Sequence, residues 1–176
     1  MNKAVFLDRD GVINHDHAYV SNILNFEFID GVFDACQQFI KQGYMIIVVT
    51  NQSGIGRGYY SEQDFNLLTN WMKAEFDKHQ VTISEVYFCP HHPKNALPNY
   101  LKKCDCRKPM PGMLNQAINK FDIDVNQSIM VGDKVSDLQA AQAAGIKTKI
   151  LVRSGKPITN AGKLIADEIW ETLFIK

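Results

Sequence analysis

The chain has 176 residues, 45% of them hydrophobic and 22% charged, so it is long enough to fold as one domain with a substantial core. Nineteen basic residues balance nineteen acidic ones, which argues against a nucleic-acid or membrane-surface partner. We find no signal peptide and no apolar run of the ~18 residues that a membrane span requires. We therefore expect a cytoplasmic protein whose four cysteines are thiols or metal ligands rather than disulfides.

The first predicted element is an apolar run over residues 4–7 that ends at two carboxylates, Asp8 and Asp10, followed by Gly11. Four apolar residues without alternation are typical of a strand buried on both faces of a parallel sheet. Ligands bind at the carboxyl edge of such sheets, and two carboxylates this close favour a divalent cation between them. Asp-x-Asp-Gly also occurs in surface turns and calcium loops, so this stretch alone leaves catalysis open.

A polar loop over residues 14–22 follows the paired carboxylates. Its many hydrogen-bonding groups are typical of a flap beside an active site. Its side chains His15, Asp16 and His17 could suggest a metal site. We expect them instead to be solvated or to touch a substrate.

The next elements are a helix over residues 32–42, ended by Gly43, and a second buried strand over residues 44–49. Thr50 and the glycine-rich segment 51–58 follow that strand. A hydroxyl at a strand's edge and exposed backbone N–H groups are suited to phosphate oxygens. The segment lacks the lysine of a Walker motif, so it does not imply nucleotide binding.

A capping box starting at Ser61 predicts a helix that continues over residues 65–80, and residues 85–88 predict a third strand. Three cysteines and a histidine then follow within 18 residues: Cys89, His91, Cys104 and Cys106. This set matches the soft tetrahedral ligands of Zn²⁺, and a metal would give the polar loop 89–106 a defined shape. Because no ligand position is left open, we predict structural zinc. Ligation by His92 instead of His91, or buried or reactive cysteines without metal, are the alternatives.

Two cations, Arg107 and Lys108, come directly after this loop and precede a helix over residues 112–122. An adjacent Arg-Lys pair is often only a solvated surface. Its position after a metal-clamped loop makes anion binding the better interpretation.

A fourth strand over residues 128–131 leads to Asp133 and, four residues on, Asp137. The remaining predicted elements are a helix over 138–144, a strand over 149–152, a polar connector over 153–162, and a last short strand with a terminal helix from 166–171. We find no repeat or linker, so residues 1–176 are predicted to form a single domain. Its fold class is α/β, a three-layer Rossmann-like parallel sheet with helices on both faces.

Four motifs in chain order resemble the haloacid dehalogenase superfamily of phosphohydrolases: Asp-x-Asp-Gly, a strand-terminal Thr, a Lys before a helix, and Gly-Asp-x-x-x-Asp. The resemblance spans roughly residues 3–152 and implies a capless fold and an aspartyl-phosphate mechanism. It implies these catalytic residues: Asp8 as nucleophile, Asp10 as general acid and base, and Thr50 and Lys108 as phosphoryl-binding groups. It also implies Mg²⁺ held by Asp8, the Asp10 carbonyl and Asp133. Asp137 would orient Lys108 or the water shell of the metal.

The longer motifs, including the Cys/His loop, are similar to the heptose bisphosphate phosphatases of lipopolysaccharide precursor synthesis. That resemblance implies a monomeric enzyme with a small sugar bisphosphate as substrate. It implies these substrate-binding residues: Asp16, His17, Ala18, Tyr19, Asn51, Gln52, Ser53, Arg107 and Lys134. Histidinol-phosphate phosphatases share the zinc cluster and nearly all these motifs, so they remain the alternative. Arg107 favours the bisphosphate, because a guanidinium can bind a second phosphate through two hydrogen bonds.

Two other classes of protein are compatible with parts of the sequence. A receiver-like module also uses a strand-end aspartate and Mg²⁺, but a stable phospho-switch has no use for an acid/base residue such as Asp10. A zinc-dependent nucleic-acid binder has little support without a basic surface.

Overall fold

The computed structural model describes the whole chain, Met1–Lys176. Its centre is a sheet of six strands in the order β3-β2-β1-β4-β5-β6, with every neighbouring pair parallel. The strands are β1 Lys3–Leu7, β2 Tyr44–Asn51, β3 Ile83–Cys89, β4 Ile129–Gly132, β5 Thr148–Val152 and β6 Glu168–Trp170. The predicted α/β parallel sheet is confirmed.

Six α-helices connect or flank these strands: α1 Val32–Lys41, α2 Ser53–Gly56, α3 Glu62–Lys78, α4 Gly112–Phe121, α5 Val135–Ala143 and α6 Asn160–Ile165. The predicted capping box starts α3. The Ser61 hydroxyl accepts the N–H of Asp64, and the Asp64 carboxylate accepts the N–H of Ser61. No helix is both long enough and apolar enough to cross a membrane.

Helices cover both faces of the sheet because successive strand residues point to opposite sides. Val5 and Leu7 of β1 belong to a core of 22 buried residues that includes side chains of α1 and α3. Ala4 and Phe6 belong to a second core of 15 buried residues that includes side chains of α4 and α5. The three-layer arrangement follows from this alternation.

The C-terminal region differs from the prediction. The last strand is present as Glu168–Trp170, but no helix follows it; residues 171–174 form bends and residues 175–176 have no regular structure. A short helix, Asn160–Ile165, lies before that strand and starts inside the stretch predicted as a polar connector. The Thr172 hydroxyl accepts the N–H groups of Phe174 and Ile175, and such local bonding competes with helix formation.

The strand order sets the position of the site. From β1 the chain builds the sheet outward through β2 and β3, then returns to β4 on the other side of β1 and continues to β6. The carboxyl ends of β1 and β4 therefore lie side by side at a topological switch point. In open α/β sheets this is where ligands bind.

Candidate active site

Two aspartates from neighbouring strands approach each other at this switch point. Asp8 directly follows β1, and its N–H donates to the carbonyl of Val131 on β4 over 3.1 Å. Asp133 follows β4 and packs against Gly11, where a Cβ atom would lie 2.3 Å from Asp133 Oδ2. Gly11 also has a positive φ of 89°, so both its conformation and its surroundings require glycine.

Lys108 forms a buried ion-pair network with two carboxylates. Its Nζ lies 2.9 Å from Asp8 Oδ1 and 2.7 Å from Asp137 Oδ1, and it donates to the Val49 carbonyl over 2.7 Å. Burial alone would lower the pKa of Lys108, but the carboxylates of Asp137 and Asp8 raise it above its usual range. Lys108 therefore remains a cation in contact with both Asp8 and Asp137.

The side chain of Asn51 fixes the backbone of Lys108. Asn51 Nδ2 donates to the Lys108 carbonyl over 3.1 Å, and the Lys108 N–H donates to Asn51 Oδ1 over 3.0 Å. This pair of hydrogen bonds ties the end of β2 to the segment that follows the cysteine loop. Asn51 thus positions the ammonium group as well as lining the site.

The carboxylates of Asp8, Asp133 and Asp137 each place one oxygen within 4.8 Å of the others. Both oxygens of Asp133 are buried without a hydrogen-bond donor. Burial, and then the charge of Asp137, raise the pKa of Asp8 to about 8, and the same two causes raise the pKa of Asp133. The single positive charge of Lys108 therefore does not balance the three carboxylates, and it does not contact Asp133.

A hard divalent cation would balance the remaining negative charge, because carboxylate oxygens are the ligands that Mg²⁺ prefers. Asp137 already accepts from the ammonium of Lys108 and from the N–H of Lys134, the latter over 3.0 Å. Asp8 and Asp133 are consequently the side chains best placed to hold the ion. The nearest other cation to Asp133 is Lys156, whose Nζ lies 3.6 Å from Oδ2.

The carboxylate of Asp10 accepts hydrogen bonds from three side chains. Arg9 Nη2 and Asn14 Nδ2 each donate to Oδ1 over 3.0 Å, and Gln52 Nε2 donates to Oδ2 over 3.1 Å. The side chain of Arg9 is almost fully buried and also donates to the carbonyl of Val20 over 2.7 Å, which ties it to the flap. Asp10 therefore has a fixed orientation toward the cleft.

The cleft beside these groups has a volume of about 500 Å³. Ten of the predicted site residues line it: Asp10, Asp16, Ala18, Tyr19, Asn51, Gln52, Ser53, Arg107, Lys108 and Lys134. Thr50 is fully buried and contacts the lining through Gln52, whose Nε2 donates to Thr50 Oγ1 over 2.9 Å. Asp8 does not line the cleft but contacts Lys108, which does.

His17 is the exception among the predicted substrate-binding residues. It does not line this cleft; its half-exposed side chain contacts Glu27, with 3.1 Å between Nε2 and Oε2. The neighbouring flap residues Ala18 and Tyr19 have positive φ values of 58° and 53°, which turn the flap back toward the cleft. The geometry thus gives no support to contact between His17 and a substrate.

The flap rests on the glycine-rich segment. A Cβ atom on Gly54 would lie 2.9 Å from the ring of Tyr19 and 2.3 Å from the ring of Tyr60. The Tyr19 ring also packs edge-on against Tyr59, with 4.8 Å between ring centroids. Glycine at position 54 therefore lets both aromatic rings close one wall of the cleft.

The three cysteines and one histidine of the loop are brought together as predicted. Cys89 Sγ lies 3.5 Å from Cys104 Sγ, and His91 Nδ1 lies 3.4 Å from Cys106 Sγ and 3.6 Å from Cys89 Sγ. Ligands at the usual Zn–S and Zn–N lengths around a tetrahedral zinc are about 3.5–3.8 Å apart. The cluster therefore fits Zn²⁺ in its chemistry and in these three distances, whereas Cys106 Sγ lies closer to Cys89 Sγ, at 2.6 Å.

Of the two adjacent histidines, only His91 joins the thiols. His92 Nδ1 instead accepts the backbone N–H groups of Lys94 and Asn95, over 3.1 and 2.9 Å. The cysteine loop also positions the cation that follows it, since Arg107 Nη1 donates to the carbonyl of His91 over 3.4 Å. A metal in the loop would thus fix Arg107 and Lys108 at the wall of the cleft.

Four cleft-lining residues were not predicted: Gly54, Tyr60, Pro109 and Ser136. Nor were Arg9 and Lys156, which contact Asp10 and Asp133. Gly54 lies in the glycine-rich segment and Pro109 directly follows Lys108, so both could have been predicted from neighbouring residues already assigned to the site. Lys156 had none, because it lies in a polar connector 23 positions from its partner Asp133.

The site has two aspartates after one parallel strand, a third after the neighbouring strand, and a buried lysine paired with the first of them. This arrangement defines a phosphohydrolase of the haloacid dehalogenase class. A family model described as HAD-hydrolase-like matches residues 105–175. The chain is 51% identical to the D-glycero-β-D-manno-heptose-1,7-bisphosphate 7-phosphatase of Yersinia pestis, over 97% of this chain and 90% of that protein. It is 53% identical to the Haemophilus influenzae protein of the same name, over 98% and 94%. The chain belongs to the family of these heptose bisphosphate phosphatases.

A solved structure shares the fold over nearly the whole chain. The D,D-heptose 1,7-bisphosphate phosphatase of B. bronchiseptica, in complex with magnesium and phosphate, has a TM-score of 0.82 and 28% identity. The alignment covers 98% of this chain and 94% of that one. The agreement confirms the Rossmann-like arrangement.

Proposed function

We propose that this protein removes the 7-phosphate of D-glycero-D-manno-heptose 1,7-bisphosphate, a step toward the ADP-heptose used in lipopolysaccharide synthesis. The observation that carries the proposal is a single cleft lined by Asp10, by the cations Arg107 and Lys134, and by Lys108, which contacts Asp8. Reactive groups and anion-binding groups thus face the same volume. The relatives that share half of this sequence carry that activity in their names.

In the first step the Asp8 carboxylate attacks phosphorus and the bond between phosphorus and the sugar oxygen breaks. Asp10 gives a proton to the departing oxygen, and an aspartyl-phosphate remains on Asp8. The Lys108 ammonium, 2.9 Å from Asp8 Oδ1, is close enough to hold a phosphoryl oxygen, and the Thr50 hydroxyl serves the same purpose. Both groups stabilise the negative charge on the phosphoryl oxygens while the phosphoryl group is transferred.

In the second step Asp10, now ionised, takes a proton from water. The water oxygen attacks phosphorus, the bond to Asp8 breaks, and inorganic phosphate is released. The three side chains that donate to Asp10 hold its carboxylate in place for this step.

We propose that Asp8, Asp133 and the carbonyl of Asp10 hold Mg²⁺. When bound, Mg²⁺ neutralises charge where an anionic nucleophile meets an anionic phosphate. The unpaired oxygens of Asp133 and the raised pKa of Asp8 support this placement. We propose that Zn²⁺ on Cys89, His91, Cys104 and Cys106 has a structural role.

The second phosphate of the substrate accounts for the cations on the cleft wall. Arg107 and Lys134 both line the cleft and suit a dianionic group. Histidinol phosphate, the substrate of the alternative interpretation, would place an ammonium group near these cations. Charge therefore favours a bisphosphate.

We further propose that the chain acts as a cytoplasmic monomer formed by one domain, residues 1–176.

Comparative kinetics test the proposal. We expect kcat/KM for the heptose bisphosphate to exceed that for histidinol phosphate by at least ~10²-fold, because burying an unpaired charge weakens binding by several kcal/mol. An Asp8→Asn protein purified in parallel should release no phosphate, which controls for a contaminating phosphatase. Equal turnover of both substrates, or faster turnover of histidinol phosphate, would contradict the assignment.

A further inference from the structure

Gln52 lies between an aromatic residue and two groups of the proposed mechanism. Its side chain is buried, with 3% of its surface exposed. Its Nε2 donates to Asp10 Oδ2 over 3.1 Å and to Thr50 Oγ1 over 2.9 Å, and its Oε1 accepts from the Tyr60 hydroxyl. The amide nitrogen has only two N–H groups, so neither is left for a substrate.

The orientation of this amide follows from its partners. A carboxylate without a proton can only accept, so the nitrogen of Gln52 must face Asp10 and the oxygen must face Tyr60. Tyr60 must then be the donor. Burial, the largest cause, raises the pKa of Tyr60 to about 12, so its hydroxyl keeps its proton. The tyrosine therefore prevents the amide from flipping.

The same amide sets the direction of the Thr50 hydroxyl. Thr50 Oγ1 accepts from Gln52, so its own hydrogen must point elsewhere, and its other contact, to the Asn51 carbonyl, is long at 3.5 Å. A bound phosphoryl oxygen would offer that hydrogen a better acceptor. One amide thus orients both the general acid and a phosphoryl-binding group.

Two backbone hydrogen bonds also hold Gln52 in place. Its N–H donates over 2.8 Å to the carbonyl of Cys89, a residue of the metal cluster, and its carbonyl accepts the N–H of Ile55 in α2. Gln52 is therefore fixed at both its backbone and its side chain, as a positioning residue needs to be.

We infer that Tyr60 and Gln52 are positioning residues that act through Asp10 and Thr50 rather than by contacting the substrate. The inference rests on the proposed function, because it assigns Asp10 the proton transfer to the leaving group. It differs from our sequence-based prediction, in which Gln52 binds the substrate directly.

Tyr60→Phe tests the inference because it removes one hydroxyl and keeps the ring. Proton donation matters for a sugar alkoxide and much less for p-nitrophenolate, which leaves readily without a proton. We expect kcat/KM for the heptose bisphosphate to fall roughly tenfold, a part of the 10²–10⁴-fold that an acid/base residue contributes, and to fall less for p-nitrophenyl phosphate. The matched control is Tyr59→Phe at the exposed neighbouring tyrosine, which should change neither value.

A double-mutant cycle adds a second measurement. Gln52→Met should lower kcat strongly, and Tyr60→Phe in that background should have little further effect, because the tyrosine acts only through the amide. Thermal unfolding of each variant shows whether it folds. Losses from the two substitutions that multiply independently, or wild-type turnover of the heptose bisphosphate by both variants, would overturn the inference.

The failure of the proposed function would look different. In that case the wild-type protein would not favour the heptose bisphosphate over other sugar phosphates. The double-mutant cycle would still decide the role of Tyr60 and Gln52.

Discussion

At the scale of single residues, the substitution of Asp10 tests its role in proton transfer. Asp10→Asn keeps the size of the side chain but cannot transfer a proton in either step. We expect kcat to fall by about 10²–10⁴-fold while the protein remains folded. Phosphate release measures the first effect and circular dichroism the second. Asp77→Asn on the exposed side of α3 is a matched control that should keep full activity; Asp10→Asn with wild-type turnover would remove Asp10 from the mechanism.

Lys108 gives a residue-scale prediction about stability. Lys108→Met would leave the buried carboxylates of Asp8 and Asp137 without their shared cation. Breaking a buried ion pair by removing one partner costs about 3–5 kcal/mol, and we expect a loss of that size in the free energy of unfolding. Urea denaturation without added metal measures it. Adding Asp137→Asn should recover part of the loss, and no recovery would show that charge is not the cause.

At the scale of elements, the cysteine loop connects the Cys/His cluster to the cleft, because Arg107 and Lys108 directly follow Cys106. Cys104→Ser removes one proposed zinc ligand and should lower the zinc content of the protein. It should also raise KM by about tenfold or more, because a less well-positioned anion-binding group would lose about 1.4 kcal/mol of substrate binding free energy. Metal analysis and kinetics on the same preparation test both effects. Cys36→Ala, at a buried cysteine on α1 away from the cluster, should keep its zinc. Zinc loss without a kinetic effect would separate the loop from the site.

The elements also show what the sequence could predict. Apolar runs such as residues 44–49 predicted strands because a parallel sheet buries both faces of its strands. Chain topology then placed the residues that follow those strands at one edge of the sheet. Helix α6 escaped prediction because six residues are too few to show a helical period, and one of them is Gly162.

The parts of the site that were missed depend on loops. Tyr60 reaches Gln52, and Lys156 reaches Asp133, only because of loop conformations that no periodicity encodes. The choice between His91 and His92 was open for the same reason: both fit the sequence pattern. The backbone turn that lets His92 accept from Lys94 and Asn95 decided which imidazole faces the thiols.

At the scale of the whole molecule, folding gathers carboxylates that are far apart in the sequence. Asp8 and Asp133 come together only when β1 and β4 pair, and the oxygens of Asp133 then have no hydrogen-bond donor. Their mutual repulsion opposes folding. A cation that binds only the folded chain would offset it, and binding to the folded state alone stabilises a protein by mass action.

Mg²⁺ should therefore raise the midpoint of thermal unfolding. At 100 times its dissociation constant a ligand adds about 2.7 kcal/mol, which corresponds to roughly 5–10 °C for a chain of this size. Asp133→Asn should abolish most of this shift, whereas Asp77→Asn should keep it. Lys156→Ala should lower the Mg²⁺ concentration needed for half of the shift, because the Lys156 ammonium lies 3.6 Å from Asp133 and competes with the ion. A full shift in Asp133→Asn would place the metal elsewhere.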